Sequence, residues 1–153
     1  MSWVSAPWVA GAVWVVARIC LVAMFPFSAL DKVWHWKNSL AQTEQSHIPG
    51  GKIMLVAAIL VEGITPFCIV FGVFDRFAAF LLAGFCFVTA FLYHPFWAST
   101  DFFSANDDSK GREHFWQFTK NFCIIGGLML VMFAGSLAPP AQVLTHPFSS
   151  SAR

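Results

Sequence analysis

The chain has 153 residues, 58% of them hydrophobic and only 11% charged, with a mean hydropathy of +0.66 and a formal net charge of +1. Soluble domains carry about 25% charged residues, so these few charges cannot build a water-facing surface at this length. A near-neutral balance without a basic stripe also excludes nucleic acid as a partner.

Residues 1–14 are apolar, hold three tryptophans and contain no lysine or arginine. A cleaved signal peptide needs a basic leading region, so this stretch is expected to stay in the protein, as an interfacial lead-in or as the first turns of a helix. An apolar run continues from Arg18 to Trp36, with Pro26 inside it and Asp31-Lys32 near its end. A span needs about 20 residues at ~1.5 Å each, which this run supplies. Residues 34–51 read as a polar loop ending in Pro-Gly-Gly. A second apolar run starts at Lys52 and has Glu62 near its middle. Asp75-Arg76 then reads as a tight polar turn, which makes the second and third helices antiparallel neighbours. The third run ends in Tyr93-His94-Pro95. Residues 98–114 form the most hydrophilic stretch, and the fourth run begins at Phe115 and is stopped by Pro139-Pro140. The expected fold is an all-α bundle of four transmembrane helices, a single domain over residues 1–153 with spans near 10–33, 52–74, 77–97 and 115–137. All seven tryptophans fall at or near span ends, as an interfacial aromatic belt requires. Lys32, Lys37, Lys52, Lys110, Arg112 and Lys120 group with the two long loops, against Arg76 and Arg153 with the short turn and tail. The positive-inside rule then puts the long loops in the cytoplasm and both termini outside.

Four residues stand out as ligand-binding candidates: Arg18, Glu62, His94 and Lys120. A carboxylate at mid-bilayer costs about 2.5 to 3.5 kcal/mol on insertion scales, so Glu62 needs a partner or a task. Pro66, four residues on, cannot donate to the Glu62 carbonyl, and Pro26 likewise frees that of Val22. Arg18 is the expected partner of Glu62, because at ~1.5 Å per residue their depths differ by about 7 Å, within reach of a snorkelling arginine. Asp31 and Lys32 mark the interfacial end of the first helix. Gly126 and Gly127 permit close helix packing. His35, His94 and His114 end or begin spans and could converge. No two histidines share an i, i+3 or i, i+4 spacing, so no metal site is expected, and His94 suits proton exchange near a bound quinone. The four cysteines form neither CxxC nor CxxxC, which argues for small buried hydrophobes rather than disulfide exchange.

Arg18, the segment FPFSALDKVW from Phe25 to Trp34, Glu62, Asp75-Arg76, His94-Pro95 and FWQFTKNFCIIGGLML from Phe115 to Leu130 occur in an order that resembles the DoxX family of four-helix bacterial membrane proteins. The resemblance covers nearly all of residues 15–137. Ala29 departs from it, since the family more often shows glycine there, and the tryptophan-rich lead-in is atypical. The resemblance implies an integral protein of the bacterial inner membrane working as a subunit beside a respiratory or redox enzyme. It supplies no shared catalytic constellation. The leading expectation is therefore a subunit that binds quinone, or another lipid-like molecule, between its helices. A non-enzymatic scaffold or assembly partner is the first alternative. A small proton or ion transporter is the second, and four spans would need an oligomer to enclose a pore.

Overall fold

The computed structural model describes residues 7–44, 50–99, 101 and 109–133. Its helices are α1 (Pro7–Val22), α2 (Met24–Trp34), α3 (Trp36–Glu44), α4 (Gly51–Phe71), α5 (Asp75–Tyr93) and α6 (Lys110–Phe133), with a short 3-10 turn at Phe96–Ala98. Four segments are long and apolar enough to cross a membrane: Trp8–Trp34, Gly51–Phe71, Asp75–Ala98 and Lys110–Phe133. The architecture is the expected all-α, four-span bundle. The Pro139-Pro140 stop, the tail, His47 and residues 100 and 102–108 of the second polar loop lie outside the described residues.

The first span is two helices in series. Its interruption at Ala23 lies three residues before Pro26, where a proline ring removes the bond to the Val22 carbonyl. Ala23 nonetheless keeps helical angles, φ −54° and ψ −36°, and its N–H donates to the Ile19 carbonyl at 2.8 Å. The helix therefore continues through the break.

Two expected loops are corrected. Within 34–51, residues 36–44 form α3. This stretch has no glycine or proline before Pro49, and its Lys, Leu, Ala, Gln and Glu are good helix formers, so local propensity overrides its polarity. α3 packs back on α4, and Gly51 lies so close to Glu44 that an added Cβ would come 2.6 Å from Glu44 Cγ. The chain reverses through Gly50 at φ +103°, a conformation that favours glycine. The fourth helix starts at Lys110 rather than Phe115 because the preceding residues cap it. Asp101 Oδ2 and Oδ1 accept the N–H groups of Lys110 and Gly111 at 2.9 and 3.1 Å, and Ser109 Oγ accepts that of Arg112 at 3.3 Å. Three of the four amide groups that a helix start leaves open are thereby satisfied. Ser109→Ala is expected to lower stability by about 1 kcal/mol, read as a lower thermal midpoint in detergent. An unchanged midpoint would show that Asp101 alone suffices.

The α4–α5 connection is the expected hairpin. Gly72 caps α4 at φ +71°, with its N–H on the Cys68 carbonyl. α5 is the central element and packs on both α4 and α6. Its inward stripe of Ala78, Leu82, Cys86 and Ala90 repeats every four residues and is buried. Mostly small side chains let the neighbouring helices approach closely, as membrane bundles require. The core joins this stripe to Val22, Phe25, Ile69, Leu128 and Val131. Large apolar side chains such as Phe67, Phe71, Phe80 and Leu130 point outward, which suits a surface bathed in lipid. Trp8, Trp34, Trp97 and Trp116 are exposed at the span ends.

α6 leans on α1 at one end only. There Gly127 faces Leu21 so closely that an added Cβ would lie 2.6 Å from Leu21 Cδ1, while Gly126 meets nothing. The close packing expected of both glycines falls to Gly127. At the other end, Phe91, Phe96, Trp97, Phe118 and Phe122 form a ring-to-ring cluster that joins α5 and the 3-10 turn to α6. Among the described residues the α2 backbone runs close to α1, α3 and α4 but not to α5 or α6. The bundle is thus closed at the α1–α6 contact and splayed at its long-loop end.

Candidate functional site

Two polar clusters occupy the bundle at different depths, and the expected Arg18–Glu62 pair is in neither. Arg18, on α1, meets Asp75, the first residue of α5. Its Nη1 donates to Asp75 Oδ2 at 2.7 Å and to the Ile69 carbonyl, and its guanidinium stands 3.6 Å from the Trp14 ring centroid. Asp75 Oδ1 also accepts the Arg76 N–H at 3.0 Å. Arg18 is 3% exposed and Asp75 0%. The expected tight polar turn at Asp75-Arg76 is buried and anchors this end. A guanidinium carries several donors in a fixed fork, so one arginine can hold a carboxylate and a helix-terminal carbonyl together.

Glu62 pairs instead with Lys32. Lys32 Nζ donates to Glu62 Oε2 at 2.7 Å and to Ser28 Oγ at 2.6 Å, and Ser28 Oγ donates to Glu62 Oε1 at 3.2 Å. Ser28 and Lys32 are four residues apart, hence on one face of α2, and that face packs on α4. Fourteen residues separate Arg18 from Lys32 along the first span, about 21 Å at ~1.5 Å each. The packed core fills the distance between the clusters.

The Lys32–Glu62 cluster lines a cavity of about 380 Å³ in the splayed half of the bundle. Phe25, Val61, Phe85 and Val88 give it apolar walls. Polar groups reach it from five directions: Lys32 from α2, Ser39, Gln42 and Thr43 from α3, Glu62 from α4, Tyr93 and His94 from the end of α5, and Lys120 and Asn121 from α6. Lys120 and Asn121 both bond back to Gln117, through its side chain and its carbonyl. His94 Nδ1 lies 3.4 Å from His114 Nδ1, so the pair links the cavity wall to the start of α6.

Three of the four ligand-binding candidates, Glu62, His94 and Lys120, thus converge on one cavity, and Arg18 stands outside it. Lys32, expected only to mark the interface, is at the centre of the site. Its neighbour Asp31 is exposed and bonds His35 at 2.9 Å, so His35 does not join His94 and His114. Pro26 and Pro66 lie within α2 and α4, Pro66 buried. Sequence patterning does not reveal Asp75, Ser28, Tyr93 or the α3 side chains as parts of these clusters. The i, i+4 spacing of Ser28 and Lys32 is a usable signal for their contact. The polarity of residues 34–51 hides the α3 side chains, because it suits a loop. Among the described residues no three His, Cys, Asp or Glu side chains converge on a point, and Cys20, Cys68, Cys86 and Cys123 are all unbridged.

A four-span helical bundle with a part-apolar, part-charged cavity in its open end defines an integral membrane protein with room for a small molecule. The DoxX family model matches residues 13–95, over half of the chain, and the protein belongs to the DoxX family. It is similar to the "Inner membrane protein YqjF" of Escherichia coli (strain K12), with 31% identity over 120 residues, 78% of this chain and 82% of that relative. No solved structure matches it. The family match ends at Pro95 and leaves α6, with Lys120, beyond it.

Proposed function

We propose that this DoxX-family protein is an inner-membrane subunit that holds a lipid-like molecule, quinone among the candidates, in the Lys32–Glu62 cavity, and that it works beside a redox enzyme. The observation that carries this reading is the cavity's position. It lies between the helices, lined by side chains of α2, α3, α4, α5 and α6, and the backbones of α2 and α6 do not approach each other. Its volume falls in the usual range for small-molecule sites, about 300–1,000 Å³, which combine apolar walls with a few polar groups. The Lys32 ammonium and the His94 ring offer donors to a carbonyl oxygen such as a quinone's. The inner-membrane placement follows the name of the relative, and the excess of lysine and arginine at the long-loop end favours the cytoplasmic side for that end.

The packed layer of Ile69, Leu82, Cys86 and Leu128 between the two polar clusters is fully buried. That layer supports a closed binding cavity over a proton or ion path through one protomer. The test is mass spectrometry of molecules co-purifying from native membranes in mild detergent. The wild-type protein is expected to carry a quinone or other lipid-like molecule. The Ala58→Trp variant, which adds bulk to the cavity wall, is expected to fold and lose it. A wild-type protein that purifies empty while binding a partner enzyme in full would overturn this reading in favour of a scaffold.

A further inference from the structure

This inference rests on the cavity reading above and concerns the charge of what the cavity takes. Lys120 lies ten residues into α6, about 15 Å from its start, inside the span Lys110–Phe133. Its ammonium donates to the Gln117 side-chain carbonyl at 2.5 Å. The carboxylates that form ion pairs among the described residues, Asp75, Glu62 and Asp31, face Arg18, Lys32 and His35, and none of them faces Lys120. The cavity therefore presents two ammonium groups against one carboxylate, and Glu62 is already taken by Lys32 at 2.7 Å. An ammonium beside apolar walls gains from a charge-assisted hydrogen bond to an anion. An anion would have a place to sit, because Lys120 and Asn121 line the cavity from α6 beside the apolar Phe25, Val61, Phe85 and Val88.

We propose that the cavity takes an acidic amphiphile. Its carboxylate or phosphate head meets Lys120 and Asn121, and its chain leaves between α2 and α6 into the bilayer. A charge-assisted hydrogen bond to the head gives the acidic molecule its advantage over a neutral one of the same length. The Lys32–Glu62 pair stays closed and serves as the polar floor.

The full chain in nanodiscs of neutral phosphatidylcholine provides the test, with cis-parinaric acid and the matching alcohol as fluorescent probes. The acid is expected to bind at least about tenfold more tightly than the alcohol, the value of one hydrogen bond to a charged group. Lys120→Gln is expected to remove that difference and Lys120→Arg to keep it. Lys120 is exposed, so neither change threatens the fold. Displacement of the acid by tetradecanoate or by tetradecyl phosphate tells which head is preferred, and inorganic phosphate shows whether a head without a chain suffices. Equal binding of acid and alcohol, or a preference that survives Lys120→Gln, would overturn the charge assignment and leave the cavity reading standing. Failure of both probes to bind would overturn the cavity reading and this inference with it.

Discussion

Asp75→Asn is expected to destabilise the bundle by about 3 to 5 kcal/mol, the usual consequence of removing one member of a buried ion pair. Arg18 would keep the Ile69 carbonyl and the Trp14 face but would lose the carboxylate at 2.7 Å, with 3% of its surface exposed. Arg18→Gln should cost a similar amount by taking the guanidinium from Asp75, which is 0% exposed. The pair with both charges removed, Arg18→Met with Asp75→Leu, should recover much of the loss, because apolar replacement also removes the cost of desolvating two charges. Thermal melting in detergent followed by circular dichroism measures all four proteins, and the double-mutant cycle isolates the coupling. Single variants that melt with the wild type would show that the contact adds nothing.

The second large effect belongs to the other pair and is asymmetric. Lys32→Met leaves Glu62, 5% exposed, with the Ser28 hydroxyl as its remaining polar contact at 3.2 Å. A loss of about 3 kcal/mol is expected from a buried charge stripped of its partner. Glu62→Gln strands Lys32 instead. Lys32 is 26% exposed, and its stem can carry the ammonium towards the interface, so about 1 kcal/mol is expected there. Both variants should release the co-purifying molecule, because each removes half of the polar floor. The ordering is the decisive readout. If Glu62→Gln proved the more damaging substitution, Lys32 would not be the residue that keeps the carboxylate in the membrane.

Hydropathy and local breakers alone account for the four spans, the antiparallel hairpin at Gly72 and the tryptophans at the boundaries. The convergence of Glu62, His94 and Lys120 is also within reach of the sequence, since all three lie at the long-loop ends of their helices or within two or three turns of them. The pairing of charges is not. Arg18 has two carboxylates in range by depth alone, and the polarity of Asp75-Arg76 suggests a surface turn, which hides the correct one. Residues 36–44 mislead in the opposite way, because their polarity suits a loop and their propensity suits a helix.

The division has a physical cause. Whether a segment crosses a membrane depends on the sum of its own transfer energies, so composition decides it; where a helix starts also depends on caps from farther off, as Asp101 caps α6. Which charge meets which depends on the rotation of each helix about its axis and on its offset along its neighbour. A step of one residue moves a side chain by about 1.5 Å along the axis and ~100° around it. Only the packing of α5 against α4 and α6, the Gly127–Leu21 contact and the break at Ala23 set those two quantities. They turn Arg18 to Asp75 and Lys32 to Glu62, and they hold the seam between α2 and α6 apart.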